Sequence, residues 1–224
     1  MKAKYISQAW LVILLSLSFA GTLAGVDVWL APRIEANKLA ATIDKIPDLV
    51  PGADKAASAE AVRAKYSPVP VTVGEGKFKT TYEAFWAMDK SGKPLGWVIK
   101  ASGQGFADKI ELLIGVDAEC RTITGLSILS QKETPGLGNK IEEGNEGKPG
   151  FLTQFRHGLR ADEPLTATTS TPDKGSNKIG AVSGATISSR SVCNIVNDAM
   201  SKQLRTALVD ALKKGPTSRP VQKE

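Results

Sequence analysis

A long apolar stretch near the N-terminus constrains this chain more than any other feature. It runs from Ile6 to Leu30 and is broken only by small residues and two larger polar ones. About 20 apolar residues are enough for a helix to cross a bilayer. Trp10 and Trp29 lie near its two ends, where indole rings prefer the headgroup layer. The sequence therefore predicts a transmembrane anchor over residues 1–31.

The charges on either side of this stretch predict its orientation. Lys2, Lys4 and the terminal amine precede it, whereas Arg33 follows it closely. Positive charge is retained in the cytoplasm, and the balance favours the N-terminal side. We therefore expect a single-pass protein of the inner (cell) membrane with a cytoplasmic N-terminus. Residues 32–224 would then lie on the periplasmic or extracytoplasmic side.

A cleaved signal peptide is the rival interpretation of the same stretch. Residues 18–20 and 22–24 place small side chains at the spacing of a cleavage site. The apolar run nevertheless continues past both positions to Leu30, which is longer than a signal core needs. The anchor is therefore the favoured interpretation.

Residue usage excludes several classes of function. His157 is the only histidine, and Cys120 and Cys193 are the only cysteines, so we expect no metal site and no His-based catalytic centre. The two cysteines are compatible with either a disulfide or two unpaired thiols. The net charge of +6 is spread among acids without a basic stripe, so no nucleic-acid partner is expected.

The rest of the chain predicts one domain, since 224 residues with 42% hydrophobic content suffice for one core and an anchor. Residues 32–68 are expected to form a stalk helix, over Glu35 to Ile46 and ended by Pro47, followed by a linker. A folded domain is predicted over residues 69–214, and a flexible tail over 215–224.

Alternating apolar residues and turn signals predict two consecutive hairpins and hence an antiparallel sheet. The expected strands are Thr80 to Met88, Leu95 to Ala101, Lys109 to Val116, Arg121 to Leu129 and, later, Ile179 to Val182. Apolar residues at spacings of three and four from Val192 to Leu212 then predict one long final helix. The predicted fold class is α+β, with an antiparallel sheet packed against helices.

The segment from Ser183 to Ser189 is the first candidate site. It has the sequence Ser-Gly-Ala-Thr-Ile-Ser-Ser and lies where a strand turns into the final helix. A helix start leaves backbone N–H groups unpaired and carries partial positive charge, which suits a phosphate. The Thr186 hydroxyl has two possible roles, as a helix cap or as the point of esterification.

The loop from Glu133 to Gly138 is the second candidate. Its sequence is Glu-Thr-Pro-Gly-Leu-Gly, and it opens a long polar excursion that ends near Gly150. Proline fixes its own backbone angle and glycine permits positive ones, so such a loop presents backbone groups rigidly to a ligand.

Together these two segments resemble a known family. It is the FMN-binding domain found in the G subunit of Rnf-type electron transport complexes and in the C subunit of the sodium-pumping NADH:quinone reductase. The likeness extends from the N-terminal span to the final helix. The resemblance implies that FMN is joined through its phosphate to the Thr of a Ser/Thr-Gly-Ala-Thr motif, which here is Thr186.

The resemblance also implies the remaining cofactor-binding residues. They are Ser183, Gly184, Ala185, Ile187 and Ser188 around Thr186; Glu133, Thr134, Pro135, Gly136, Leu137, Gly138 and Lys140 in the second loop; and Gly105 and Phe106 ahead of a strand. Glu133 and Lys140 are open to two interpretations, as flanks of the flavin ring or as solvated loop residues. The motif that a flavin transferase reads usually begins with Asp three positions before the Ser/Thr, where this chain has Gly180.

The implied function is electron relay through covalent FMN, with no complete active site of the chain's own. The implied partners are other membrane and redox subunits of an Rnf-type, ferredoxin:NAD complex, a maturing flavin transferase and membrane lipid. One alternative is the C-type subunit of a sodium-translocating NADH:quinone reductase. Another is a flavin-free, membrane-anchored assembly module. A free-standing flavin reductase is disfavoured because the chain has no dinucleotide fingerprint.

Overall fold

A computed structural model describes residues 2–63, 68–74, 79–144, 149–173 and 175–215. The chain divides into two compact units, Met1–Ala41 and Thr42–Glu224. Most of the predicted tail, residues 216–224, lies outside the described residues.

The first unit consists of the greater part of helix α1, which runs from Lys2 to Leu49. Its apolar stretch is long enough to cross a membrane and is not buried against other described parts of the chain. The guanidinium of Arg33 lies 5.2 Å from the centre of the Trp29 ring, a cation–π contact. Residues Glu35 to Ile46 are helical as predicted, but they are part of α1 rather than a separate stalk helix. Pro47 does not end the helix, because a proline in the last turn removes a single intrahelical hydrogen bond.

The second unit is built on a six-stranded antiparallel sheet, which confirms the predicted fold class. Its strands follow one another in chain order, so each pairs with its sequence neighbours. They are β1 (Val69–Val73), β2 (Thr80–Met88), β3 (Pro94–Gln104), β4 (Lys109–Asp117), β5 (Thr122–Ser130) and β6 (Leu159–Arg160). A second sheet pairs β7 (Thr166–Thr168) with β8 (Lys178–Gly180) in parallel.

Helices and short turns complete this unit. Helix α2 spans Lys55–Arg63, α3 spans Thr186–Ala199 and α4 spans Lys202–Lys214. Two 3-10 helices, Gly138–Glu142 and Leu152–Arg156, follow β5.

The final helix differs from its prediction because it is broken at Met200 and Ser201. Ser201 has an extended backbone, with φ −54° and ψ 148°, and its side chain accepts a hydrogen bond from the Leu204 amide. Serine is a preferred N-cap, so it starts a new helix here although the apolar spacing continues across the break.

The main core lies between one face of the sheet and helices α3 and α4. Val192, Ile195 and Val196 of α3 are buried in it. On β2 and β3 the paired Trp86 and Trp97 stack with ring centroids 3.9 Å apart. Burying such side chains contributes about 1.5–3 kcal/mol each, which fixes α3 on the sheet. The N-terminal end of α3 is thereby held in place beside the loops that follow the strands.

The last turn of α1 belongs to the second unit and packs against β4 and β5. Leu49 is buried, and its carbonyl oxygen accepts a hydrogen bond of 2.5 Å from the Thr124 hydroxyl. Gly115 and Gly125 are cross-strand partners. A Cβ atom on Gly115 would lie 2.4 Å from the Leu49 carbonyl oxygen. These glycines therefore allow the helix end to approach the sheet backbone directly.

The two cysteines are free and buried in the second unit. Burial raises the pKa of Cys120 to about 12, and it raises the pKa of Cys193 to about 12 as well. Thiols with so high a pKa are almost entirely protonated at neutral pH and are poor nucleophiles. Of the two alternatives left open by the sequence, the structure has the unpaired thiols.

Candidate functional site

Three segments distant in sequence converge on one cleft in the second unit. They are the turn after β3, the loop after β5 and the first turn of α3. The cleft has a volume of about 430 Å³. Its lining residues are Phe106, Thr134, Leu137, Gly138, Gly184, Ala185, Thr186, Ile187 and Ser188. Both candidate segments of the sequence thus contribute to the same cavity.

The side chain of Glu133 joins the three segments. It is only 4% exposed. Its Oε1 accepts hydrogen bonds from the backbone amides of Phe106, at 3.0 Å, and Ala107, at 3.1 Å. Its Oε2 accepts a hydrogen bond of 2.5 Å from the Ser188 hydroxyl of α3. One buried carboxylate therefore fixes the mutual position of all three walls of the cleft.

Two glycines give the cleft its shape. Gly184 has φ +78°, a left-handed conformation that other residues rarely adopt. A Cβ atom there would also lie 2.9 Å from Cδ2 of Leu137 on the opposite wall. A Cβ atom on Gly138 would lie 2.8 Å from Cβ of Glu133. A larger residue at Gly184 would push Leu137 away, and one at Gly138 would displace the side chain of Glu133.

The N-terminus of α3 opens into this cleft without a side-chain cap. Its N-cap residue is Ala185, which cannot accept a hydrogen bond from the first turn. Thr186 is the first helical residue and is half-buried in the cleft lining. The interpretation of Thr186 as a helix cap is therefore wrong. Its hydroxyl lies instead at the positive end of the helix dipole, where an anion is stabilised.

The two serines that follow have internal roles. The Ser188 hydroxyl donates to the buried carboxylate of Glu133. Ser189 is fully buried; its hydroxyl donates to the Ala185 carbonyl and accepts from the Val182 amide, both at 3.0 Å. These contacts fix the strand-to-helix turn that presents Thr186.

Apolar side chains form the rim of the cleft. Phe106 is 60% exposed, Leu137 is 46% exposed and Ile187 is 55% exposed. In the described part of the second unit, no other large hydrophobic side chain is found exposed. Exposed apolar groups gathered at one cavity are typical of a surface that covers a ligand or partner.

The remaining predicted residues lie near the cleft but not in its lining. Gly105 adjoins Glu133, because a Cβ atom there would lie 2.3 Å from its Oε1. Pro135, Gly136 and Lys140 are exposed along the second loop, and Ser183 is exposed in the turn before α3.

Gln154 and Gln131, which the sequence did not single out, hold backbone groups near the candidate segments. The Gln154 side chain accepts from the Gly180 amide at 2.6 Å and donates to the Gly180 carbonyl at 3.1 Å, which holds the end of β8. Gln131 accepts a hydrogen bond from the Glu133 amide. Asn139, next to Gly138, has a buried side-chain oxygen without a hydrogen-bond partner among the described residues. Only the polar character of these residues could have identified them from the sequence.

A larger cavity of about 520 Å³ lies elsewhere, lined by residues that include His157, Arg160 and Lys178. It contains none of the predicted cofactor-binding residues, and its arginine is already paired with Asp162. The smaller cleft is the better candidate, because it joins an uncapped helix start to an apolar rim.

Comparison with known proteins agrees with this choice. Residues 105–201 match the sequence model of a family described as "FMN-binding domain". The matched region begins at the turn before β4 and ends just after α3. It therefore contains every segment that lines the cleft.

Two sequence relatives are both G subunits of ion-translocating oxidoreductase complexes. The chain is 35% identical over 113 residues to the G subunit of the ion-translocating oxidoreductase complex of Methanosarcina acetivorans, covering 50% of this chain and 54% of that protein. It is 33% identical over 145 residues to the G subunit of the Na(+)-translocating ferredoxin:NAD(+) oxidoreductase complex of Acetobacterium woodii, covering 64% and 66%. The chain thus spans between half and two thirds of the length of these relatives.

Two solved structures share the fold. The NqrC crystal structure from Shewanella oneidensis superposes with a TM-score of 0.54 at 22% identity, over 65% of this chain and 70% of that one. The C subunit of the Na(+)-translocating NADH-quinone reductase from Parabacteroides distasonis gives 0.53 at 20% identity, over 79% and 96%. The predicted resemblance is confirmed: residues 105–201 match the FMN-binding domain family, and the chain is similar in sequence to G subunits of ion-translocating oxidoreductase complexes.

Proposed function

We propose that this chain is an electron-carrying subunit of a membrane-bound, ion-translocating oxidoreductase complex of the ferredoxin:NAD type. FMN joined by a phosphoester to Thr186 would relay the electrons. The observation that carries the proposal is the cleft at the start of α3, where a half-buried threonine hydroxyl meets an uncapped helix N-terminus. The names of the sequence relatives support the assignment to such a complex.

The start of α3 fits the phosphate of FMN. A phosphodiester on Thr186 retains one negative charge, which a helix N-terminus stabilises by about 0.3–1 kcal/mol when exposed. The first-turn amides have no side-chain cap at Ala185 and so are available to phosphate oxygens. Arg190 is exposed one turn further along α3 and lies outside the cleft lining. It can therefore add only to the positive electrostatic potential around the phosphate.

The rim of the cleft fits the planar flavin ring. Phe106, Leu137 and Ile187 offer apolar contacts, and Thr134 lies in the facing wall. FMN supplies one- and two-electron chemistry when bound, while the protein orients the ring and sets its surroundings. Glu133 is buried and Lys140 is exposed on the same loop, and neither belongs to the cleft lining.

The apolar part of α1 supports attachment to a membrane. We place its N-terminus in the cytoplasm and the flavin domain on the periplasmic or extracytoplasmic side, because Lys2 and Lys4 precede the span. The proposed partners are lipid around α1, a flavin transferase during maturation and the membrane and redox subunits that exchange electrons with the flavin. A covalent tether suits this location, since FMN lost from the site would not be replaced there.

Two alternative functions have weaker support. A C-type subunit of the sodium-translocating NADH:quinone reductase would share the fold. The two solved structures with this fold, however, are only 20–22% identical in sequence to this chain. A flavin-free assembly module is favoured by Gly180, which replaces the aspartate of the flavin transferase motif.

Flavin fluorescence on a denaturing gel separates these functions. The full-length chain is produced together with a flavin transferase, and its band is examined under ultraviolet light. A covalent carrier keeps its fluorescence in the denatured band. A dark band from cells with active transferase would favour the assembly module. Copurification of redox subunits from native membranes then distinguishes the two kinds of complex.

Restoring the motif aspartate is expected to increase flavin attachment. A Cβ atom on Gly180 would lie 3.4 Å from Gln154 Oε1 and 3.7 Å from Pro172 Cδ, which are ordinary contacts. One charge-assisted hydrogen bond to the transferase would be worth about 1.5–3 kcal/mol, so Gly180→Asp should accelerate attachment about tenfold. The measurement is band fluorescence against time at limiting transferase. Gly180→Asn is the uncharged control, and equal rates for both variants would argue against a role for the missing charge.

A further inference from the structure

Glu133 is a buried charged group that attachment of the flavin does not use. Both of its carboxylate oxygens accept hydrogen bonds, from two backbone amides and one hydroxyl. An ionised carboxylate can only accept hydrogen bonds, and these three contacts are compatible with that form. Its carboxylate makes no ion pair with a lysine or arginine in the described part of the chain. Such a charge is unusual in a protein interior and calls for a functional explanation.

The carboxylate lies directly behind the wall of the cleft. Its hydrogen-bond donors include Phe106 and Ser188, which both line the cavity. Its side chain also touches the Cβ position of Gly138, another lining residue. No layer of other residues separates Glu133 from the three walls that would surround a bound flavin.

We propose that Glu133 sets the reduction potential of the flavin: its fixed negative charge behind the cleft wall disfavours reduction. This inference rests on the proposed function, because it requires FMN in the cleft. It makes Glu133 a tuning and positioning residue that acts through the cleft wall and does not touch the cofactor.

The charge balance of flavin reduction gives the direction of the effect. When bound, FMN would supply two-electron chemistry, and uptake of one proton with the two electrons would leave the ring with one more negative charge. A fixed anion nearby raises the free energy of that product relative to the oxidised form. The effect is larger in a protein interior than in water, because the effective dielectric constant is lower. Charge placed near the flavin is a recognised way for a protein to tune it.

The surroundings of Glu133 prevent its charge from moving away. Its three hydrogen bonds connect it to segments that are fixed by the sheet and by α3. Gly105 and Gly138 pack so closely around it that a Cβ atom on either would collide with its side chain. These contacts restrict the carboxylate to one position behind the cleft wall.

Glu133→Gln tests the inference, because glutamine has nearly the same shape without the charge. Its side-chain oxygen can still accept from the amides of Phe106 and Ala107. The flavin-loaded, full-length protein in detergent is titrated anaerobically, with dithionite as electron donor and a reference dye as potential standard. We expect the ratio of reduced to oxidised flavin at a fixed potential to rise about tenfold, or about 30 mV for a two-electron couple.

Glu142→Gln is the matched control, since it removes one negative charge from an exposed residue that is near in sequence and outside the cleft lining. Its flavin potential should stay close to that of the wild type, because water and salt screen an exposed charge. Glu133→Asp, which retains the charge, should also remain near the wild-type value. An unchanged potential in Glu133→Gln would overturn the inference. An equal shift in Glu142→Gln would also overturn it, because the loss of any negative charge, rather than the buried one, would then move the potential.

Flavin content, measured first, separates this inference from the proposed function. A wild-type chain without covalent flavin would overturn both. Flavin on the wild type and on Glu142→Gln but not on Glu133→Gln would overturn the tuning role alone, since Glu133 would then serve attachment or folding. Flavin on all three with a raised potential in Glu133→Gln only would support the inference.

Discussion

We expect Thr186→Ala to carry no covalent flavin while remaining folded. The substitution removes the hydroxyl at the uncapped start of α3 that would form the phosphoester. Thr186 is half-buried and caps no helix, so the change in stability should stay within about 0.5 kcal/mol. In-gel fluorescence of the full-length protein should fall to background, and circular dichroism should be unchanged.

Two neighbouring hydroxyls provide the controls for this prediction. Ser183 is exposed in the turn before α3, and Thr134 lies in the facing wall of the cleft. Ser183→Ala and Thr134→Ala should both keep covalent flavin, whereas Thr186→Ser should keep part of it. Fluorescence that persists in Thr186→Ala would place the ester on another residue.

The largest loss of stability is expected from Gly115→Val. The new Cβ would lie 2.4 Å from the carbonyl oxygen of Leu49 and 2.8 Å from its carbonyl carbon, so the end of α1 would have to leave the sheet. Overpacking of a core commonly costs about 1–3 kcal/mol, and a clash with backbone belongs at the upper end of that range. For a domain of this size, about 3 kcal/mol lowers Tm by about 6–12 °C. Thermal unfolding followed by circular dichroism measures the change.

Gly180→Ala is the matched control for this variant. A Cβ atom there meets only ordinary contacts, the nearest at 3.4 Å. Its Tm should stay close to that of the wild type, because replacing glycine at a compatible site changes stability by less than about 1 kcal/mol. If Gly115→Val were as stable as Gly180→Ala, the close packing of α1 on β4 would be wrong.

The central strands could be predicted from the sequence because their signals are local. The turn between β2 and β3 is set by Asp89, whose side chain accepts from the amides of Ser91 and Lys93 at 2.8 Å. Such a side-chain turn between two alternating segments defines a hairpin without help from the rest of the fold. The sequence does not predict the break between α3 and α4, because the helical spacing of apolar residues continues across it. A single serine N-cap is a weaker signal than that spacing.

The site was only partly predictable, because its key contact is long-range. The loop at Glu133–Gly138 and the turn at Ser183–Ser189 were both recognised by their sequences. The bond between Glu133 and Ser188 spans 55 positions in the chain, and nothing local to either residue indicates it. Glu133, which the sequence left open as a flank of the flavin ring or a solvated loop residue, is buried in the structure.

The docking of α1 was missed for a similar reason. Leu49 comes shortly after a proline, which normally ends a helix. Glycines inside strands, such as Gly115 and Gly125, normally weaken the strand. Only the fold shows that the two glycines accommodate the helix end.

Mass spectrometry of the peptide that contains Thr186, isolated from native membranes, tests the central claim most directly. We predict a peptide heavier by one FMN less one water, with fragment ions that place the addition on Thr186. A peptide found only in its unmodified form would contradict the proposal that this chain carries electrons through a covalent flavin.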